Sequence, residues 1–199
     1  MAIREISRAA MLELPIGKYE GEVCLVATTQ ELARAKADLL KETVVGFDTE
    51  TRPAFRKGES YHPSLFQAAT ANAVYLFQLR HREAFPLLAD LLGEKRIAKA
   101  GVAVADDLRT LKHVLAFTER SVVDLGHTAR RAGYSQTGVR NLAGMVMGIR
   151  ITKGTKTSNW AAPQLTPQQI AYAATDAWVC RELYLRFEKA GLLRGESSA

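Results

Sequence analysis

Asp48 and Glu50 stand two positions apart at the end of the apolar run Val44-Val45-Gly46-Phe47. That run has the pattern of a strand, and a strand's two-residue period puts both carboxylates on one face at its C-terminal end. In open α/β sheets, ligands collect outside that edge. Two carboxylates held side by side repel, and one takes up a proton unless a cation sits between them. An Asp-x-Glu can also cap a neighbouring helix or pair with Arg52. Asp176 is the only charge between Ile170 and Cys180, a helical stretch apolar on all sides and therefore expected to be buried. A lone carboxylate there is costly and needs a cation or a polar partner. Tyr172 lies one helical turn earlier on the same face, so a buried Tyr–Asp hydrogen bond or a single arginine partner is the competing explanation. Asp106 and Asp107 open a helix after Ala100-Gly101-Val102-Ala103, where the helix dipole favours acids without any metal.

Together these residues offer four carboxylates on three elements, with a tyrosine beside them. Such a set suits hard divalent ions, because Mg²⁺ and Mn²⁺ take carboxylate and water oxygens and let substrate phosphates complete the shell. Two such ions about 4 Å apart activate water and stabilise the leaving oxygen of an in-line displacement at phosphorus. The expected chemistry is metal-dependent hydrolysis of phosphodiesters.

The elements that must position these groups follow from periodicity. Residues 23–27 read as a strand, and residues 29–40 as a helix with Leu32, Ala35 and Leu39 on one face. After the strand at 44–50 come strands near 64–70 and 73–79, joined by an Ala71-Asn72 turn. A helix near 82–92, a strand at 97–102, a helix at 104–116 and a short strand at 121–124 follow, then helices near 125–132 and 138–148. The last helix has the firmest limits: Thr166, Pro167 and Gln169 form a capping box with proline at the first position, and Gly191 supplies the stop. The pattern predicts an α/β fold with a mixed central sheet flanked by helices.

With 199 residues and 47% hydrophobic content, the chain can bury a substantial core, and nothing in it marks a linker. Glu5, Arg8 and Glu13 interrupt the N-terminal apolar residues, so no signal peptide is expected. No run approaches the roughly 18 apolar residues of a membrane span. Cys24 and Cys180 resemble neither a disulfide framework nor a zinc site, and His62, His81, His113 and His127 lack metal-ligand spacing. The cytoplasm is the expected compartment. The formal charge is +6, and no acid falls between Asp124 and Asp176, whereas Arg130, Arg131, Arg140, Arg150, Lys153 and Lys156 do. That stretch reads as a solvated basic face or as a contact for nucleic acid. Gly154-Thr155-Lys156-Thr157 lacks the Gly-x₄-Gly-Lys spacing of a phosphate loop, which excludes that motif.

Phe-Asp-Thr-Glu (47–50), Gly-Val-Ala-Val-Ala-Asp-Asp (101–107) and Tyr-Ala-Ala-Thr-Asp (172–176) resemble the three exonuclease motifs of the DEDD superfamily. The tyrosine variant is the one resembled, as in ribonuclease D and the Werner-syndrome exonuclease domain. Asn141-Leu142-Ala143 and Ser158-Asn159-Trp160 resemble flanking family segments. The resemblance implies a ribonuclease-H-like fold and stepwise 3′→5′ removal of nucleotides from DNA or RNA with a free 3′ end, with two Mg²⁺ or Mn²⁺ ions. It implies Asp48, Glu50, Asp107 and Asp176 as metal ligands, Asp107 being preferred to Asp106 by its distance from Gly101, and Tyr172 as the group that orients the attacking water. It further implies nucleic-acid contacts from Thr49, Arg109, Lys153, Lys156, Asn159 and Trp160. Arg109 stands where the Werner-type domain has an aromatic residue, so base stacking is not carried over there and a phosphate contact is the alternative expectation.

The implied organisation is an N-terminal extension (1–21), the exonuclease domain (22–191) and a C-terminal tail (192–199). Ribonuclease D carries further C-terminal helical domains, so substrate grip is expected from this one domain or from partners; no membrane association is expected. The alternatives are a binding module of the same fold without turnover, and an α/β protein whose acids form structural ion pairs. The presence of all four acids and the tyrosine argues against the first.

Overall fold

The computed structural model describes residues 4–56, 58–152 and 158–193. Six strands form one mixed sheet: β1 (Glu22–Leu25), β2 (Val44–Thr51), β3 (Pro63–Ala69), β4 (Ala73–Gln78), β5 (Ala98–Gly101) and β6 (Val122–Asp124), in the order β1-β4-β3-β2-β5-β6. The β2-β3-β4 core is antiparallel, whereas β1 joins β4 and β5 joins β2 in parallel. The longest strand, β2, thus runs through the middle of the sheet, and its register with β3 shifts just past Glu50.

The two faces of β2 carry different loads, as strand alternation requires. Val45 and Phe47 join Phe66, Tyr75 and Phe77 in a core closed by α2 (Thr29–Leu39), α3 (Phe85–Gly93) and α4 (Val104–Leu111). Val44, Gly46, Asp48 and Glu50 face the other way, toward α7 (Pro167–Lys189). This helix starts at the capping box of Thr166 and Gln169 and lays Ala173, Ala174 and Ala177 on Leu65, Val74 and Leu76.

Gly46 lets α7 come that close. A Cβ at Gly46 would collide with the Ala177 carbonyl and the Arg181 backbone amide, both fixed helix backbone. Gly46→Ala is therefore expected to destabilise the protein by about 3 kcal/mol, at the upper end for overpacking, and to lower activity by moving α7 off β2. A urea melt with an activity assay on the soluble fraction checks both; wild-type stability in the variant would refute the contact.

Three elements differ from the sequence expectations. The helix expected at 104–116 ends at Leu111. The one expected at 138–148 is a short α6 (Val139–Leu142) followed by a wide π-helical turn, Ala143–Met147, which stops at Gly148 with φ 69°. Before β1, an arm with a short helix, α1 (Arg8–Glu13), packs across this region. A Cβ on Gly144 would lie 2.6 Å from Met11 Cε, so glycine allows the arm to sit flush. Backbone bonds from Gly17 N–H to the Arg150 carbonyl and from Arg150 N–H to the Pro15 carbonyl (3.1 and 2.8 Å) fasten it.

Candidate active site

Asp48, Glu50 and Asp176 come together at the end of β2, each offering an oxygen within 4.8 Å of those of the other two. β2 supplies the first two from one face, and α7 brings the third across Gly46. Asp107 arrives from the first turn of α4 on the opposite side of the strand, where Thr49 Oγ1 donates to its Oδ1 at 2.6 Å. The start of α4 is itself held open: Ala103, a non-glycine residue, has φ 59°. Asp124 at the end of β6 accepts hydrogen bonds from the backbone N–H groups of Ala103 and Val104 and from His127 N–H, which opens α5 (Leu125–Arg131). Strained backbone fixed by a side chain next to a chemical site is a recurrent positioning device.

The acids oppose one another's ionisation. Burial, then the charges of Asp176, Asp107 and Glu50, hold Asp48 well above the usual carboxylate range. Glu50 is pushed up to about 8 by burial and by the Asp176 and Asp107 charges. Burial raises Asp176 to about 6, while the Tyr172 hydroxyl and the Arg140 guanidinium pull it back down. Burial also raises Asp107, against the Thr49 hydrogen bond. Oxygen-only donors that disfavour their own charge suit hard divalent cations, whose binding reverses the penalty. Tyr172 is raised far from its ordinary value, first by burial and then by the Asp176 charge, so it stays protonated at neutral pH.

The other residues singled out in the sequence occupy varied places. Asp106 and Arg109 form an exposed ion pair (3.0 Å). Trp160 is buried and sets its ring 6.0 Å from that of Tyr172, so it props the tyrosine. Asn159 is exposed, and its Oδ1 accepts from Ala161 N–H. Lys153 and Lys156 lie outside the described residues. Sequence reasoning passed over three participants. Arg140 on α6 projects its charge onto Asp176; its signal was its place in the acid-free stretch. Asp124 could have been read as an N-cap at a strand-to-helix junction. Gln67 pairs with Asp48 across β2 and β3 and is fully buried, with neither amide atom hydrogen-bonded, leaving a donor and an acceptor on the cluster's face.

The sequence profile of a family described as 3′-5′ exonuclease matches residues 23–191. The chain is 29% identical over 201 residues to the exonuclease mut-7 homolog of Homo sapiens, covering 86% of this chain and 23% of that protein. It is 29% identical over 177 residues to ribonuclease D of Gluconacetobacter diazotrophicus, covering 85% and 44%. Against these curated relatives it therefore spans less than half of their length. The Nibbler EXO domain of Aedes aegypti superposes with a TM-score of 0.77 at 22% identity, covering 89% of this chain and 92% of that one. The fold is ribonuclease-H-like, as the motifs implied.

Proposed function

The chain belongs to the 3′-5′ exonuclease family, and from that premise we propose that it removes nucleotides stepwise from the 3′ end of a nucleic-acid strand by a two-metal-ion mechanism. The observation that carries this reading is the convergence of Asp48, Glu50 and Asp176 within 4.8 Å, with Asp107 tied to the same strand through Thr49. These four acids would hold two Mg²⁺ or Mn²⁺ ions, consistent with an oxygen-only donor set. When bound, the ions activate water and neutralise charge developing on the phosphate.

The chain's own groups do the rest. Tyr172, kept protonated, accepts a hydrogen bond from the attacking water through a lone pair and aims the water's oxygen at phosphorus. It belongs to the tyrosine type for that reason, and Trp160 fixes its ring. Arg140 balances part of the cluster's negative charge from the α6 side. Thr49 holds Asp107 in place. Free thiols at Cys24 and Cys180 favour the cytoplasm as its compartment.

Incubation with 5′-labelled single- and double-stranded DNA and RNA, in Mg²⁺, Mn²⁺ or chelator, tests this directly. A ladder shortening from the 3′ end only with cation is expected. Cation-independent binding without cleavage would instead mark a binding module. Tyr172→Phe is expected to lower kcat about 100-fold, the size of a loss of positioning at the reacting atoms, with little change in KM. A KM effect alone would give Tyr172 a role in substrate binding instead.

A further inference from the structure

The N-terminal arm lies outside the residues that match the exonuclease family, 23–191, yet it is fastened beside the catalytic cleft. Ser135 N–H donates to the Arg4 carbonyl and Ile6 N–H to Gln136 Oε1, and Tyr19 N–H reaches Thr175 Oγ1, next to Asp176. Between α1 and the segment 136–152 the arm encloses a groove of about 680 Å³, lined among others by Arg8, Gln136, Arg140, Asn141, Arg150 and Thr152. The Nε atoms of both Arg140 and Arg150 are buried without a hydrogen-bond partner. Among the described residues the ion pairs involve neither arginine, although the Arg140 charge acts on Asp176, and the stretch that carries both contains no acid.

A guanidinium nitrogen buried without a partner is expensive, and the planar fork of an arginine that lines an open groove matches phosphate oxygens. The groove also communicates with the chemistry. Ile151 and Thr152 line both it and the cleft that contains Tyr172 and Asp176. A strand whose 3′ end lies in that cleft is thus continuous with a basic channel, one wall of which lies outside the family match.

We infer that the arm and the Arg140–Arg150 segment form a track for the sugar-phosphate backbone of the substrate strand upstream of its 3′-terminal nucleotides. The track deepens the exonuclease reading and rests on it. It gives the enzyme a preference for strands long enough to reach Arg8, and Asn141 and Gln136 supply neutral hydrogen bonds between the arginines. Single-strand backbone contacts of this kind are sequence-independent and salt-dependent.

Binding without hydrolysis separates the track from the reaction. Fluorescence anisotropy of the full chain in chelator would compare a labelled dinucleotide with a strand of about twelve nucleotides, within the usual site size, over a range of salt. The longer strand is expected to bind at least about tenfold tighter. Arg150→Ala and Arg8→Ala should each weaken it about three- to tenfold and lower the salt slope by about 0.7, one single-strand phosphate contact. Arg150→Lys, which keeps the charge and loses the fork, should fall between Ala and wild type. Arg8 is exposed on α1, so Arg8→Glu serves if a change at Arg150 impairs folding. Affinity independent of strand length, or lost to millimolar inorganic phosphate at constant ionic strength, would overturn the track in favour of a small-anion site. Unchanged affinity in Arg8→Glu would overturn it as well. Length-dependent binding in a protein that cleaves nothing would overturn the exonuclease reading and leave the track standing.

Discussion

Asp48→Asn is expected to reduce exonuclease turnover by about four orders of magnitude at saturating cation, some 5.5 kcal/mol at 1.36 kcal/mol per decade, with the circular dichroism spectrum unchanged. The amide keeps the side chain's volume and withdraws one anionic oxygen from the point where Glu50 and Asp176 also converge. Asp176→Asn should match it. Asp107→Asn should also be severe, whereas Asp106→Asn should stay within about twofold of wild type, as expected of a surface ion pair, because Asp106 pairs with Arg109 in solvent. This contrast between neighbours reads out the site independently of fold stability. Equal losses at 106 and 107 would show that the helix start, rather than a ligand, is being damaged, and near-normal turnover in Asp48→Asn would remove the site assignment.

The same substitution should make the cation-free protein more stable. Glu50 and Asp176 have folded-state values of about 8 and about 6, above their ordinary values of 4.5 and 3.8, and burial with the neighbouring charges holds Asp48 well above its ordinary range too. Over the window between ordinary and folded values the native state holds protons that the unfolded chain has released, so stability is lost as pH rises through it. In chelator, wild-type protein should therefore melt progressively lower from pH 4.5 to pH 8. Asp48→Asn relieves repulsion and burial of charge together. Its Tm is expected to exceed the wild-type value at pH 8, with the gap closing toward pH 4.5 as the acids become protonated in both states. Divalent cation should raise the wild-type Tm more at pH 8 than at pH 5 and should help Asp48→Asn much less. Differential scanning calorimetry across pH, with and without Mg²⁺, measures all three. A variant that melts below wild type in chelator would mean that the acids are stabilised by contacts other than a cation.

The legible parts of the site are those written into local patterns. A strand's alternation put Asp48 and Glu50 on one face, and a lone charge in an apolar helix singled out Asp176. The capping box at Thr166 fixed where that helix begins, and the structure reproduces it. Asp107 rested on the motif resemblance, since its bond to Thr49 joins residues 58 positions apart and leaves no trace in either neighbourhood. Trp160 was expected at the nucleic acid; its buried ring is against Tyr172, a packing partner no periodicity reveals. The arm was read only as an extension, because backbone groups of Pro15, Gly17 and Arg150 make much of its docking, and backbone bonding is the same for every residue type. The helix expected at 138–148 kept its apolar pattern but widens after Leu142, where Gly144 accommodates Met11.

The approach of α7 to Gly46 has a consequence for the chain as it is being made. Asp48 and Glu50 leave the ribosome more than a hundred positions ahead of Asp176, and the sheet that carries them can pair before α7 exists. Until residues 167–189 have emerged and settled against β2, two carboxylates stand without the third. On the exonuclease reading, the nascent chain would thus lack a complete acid cluster until α7 has been made. Order of translation would then set when the cluster is complete, and the close approach at Gly46 is the contact that completes it.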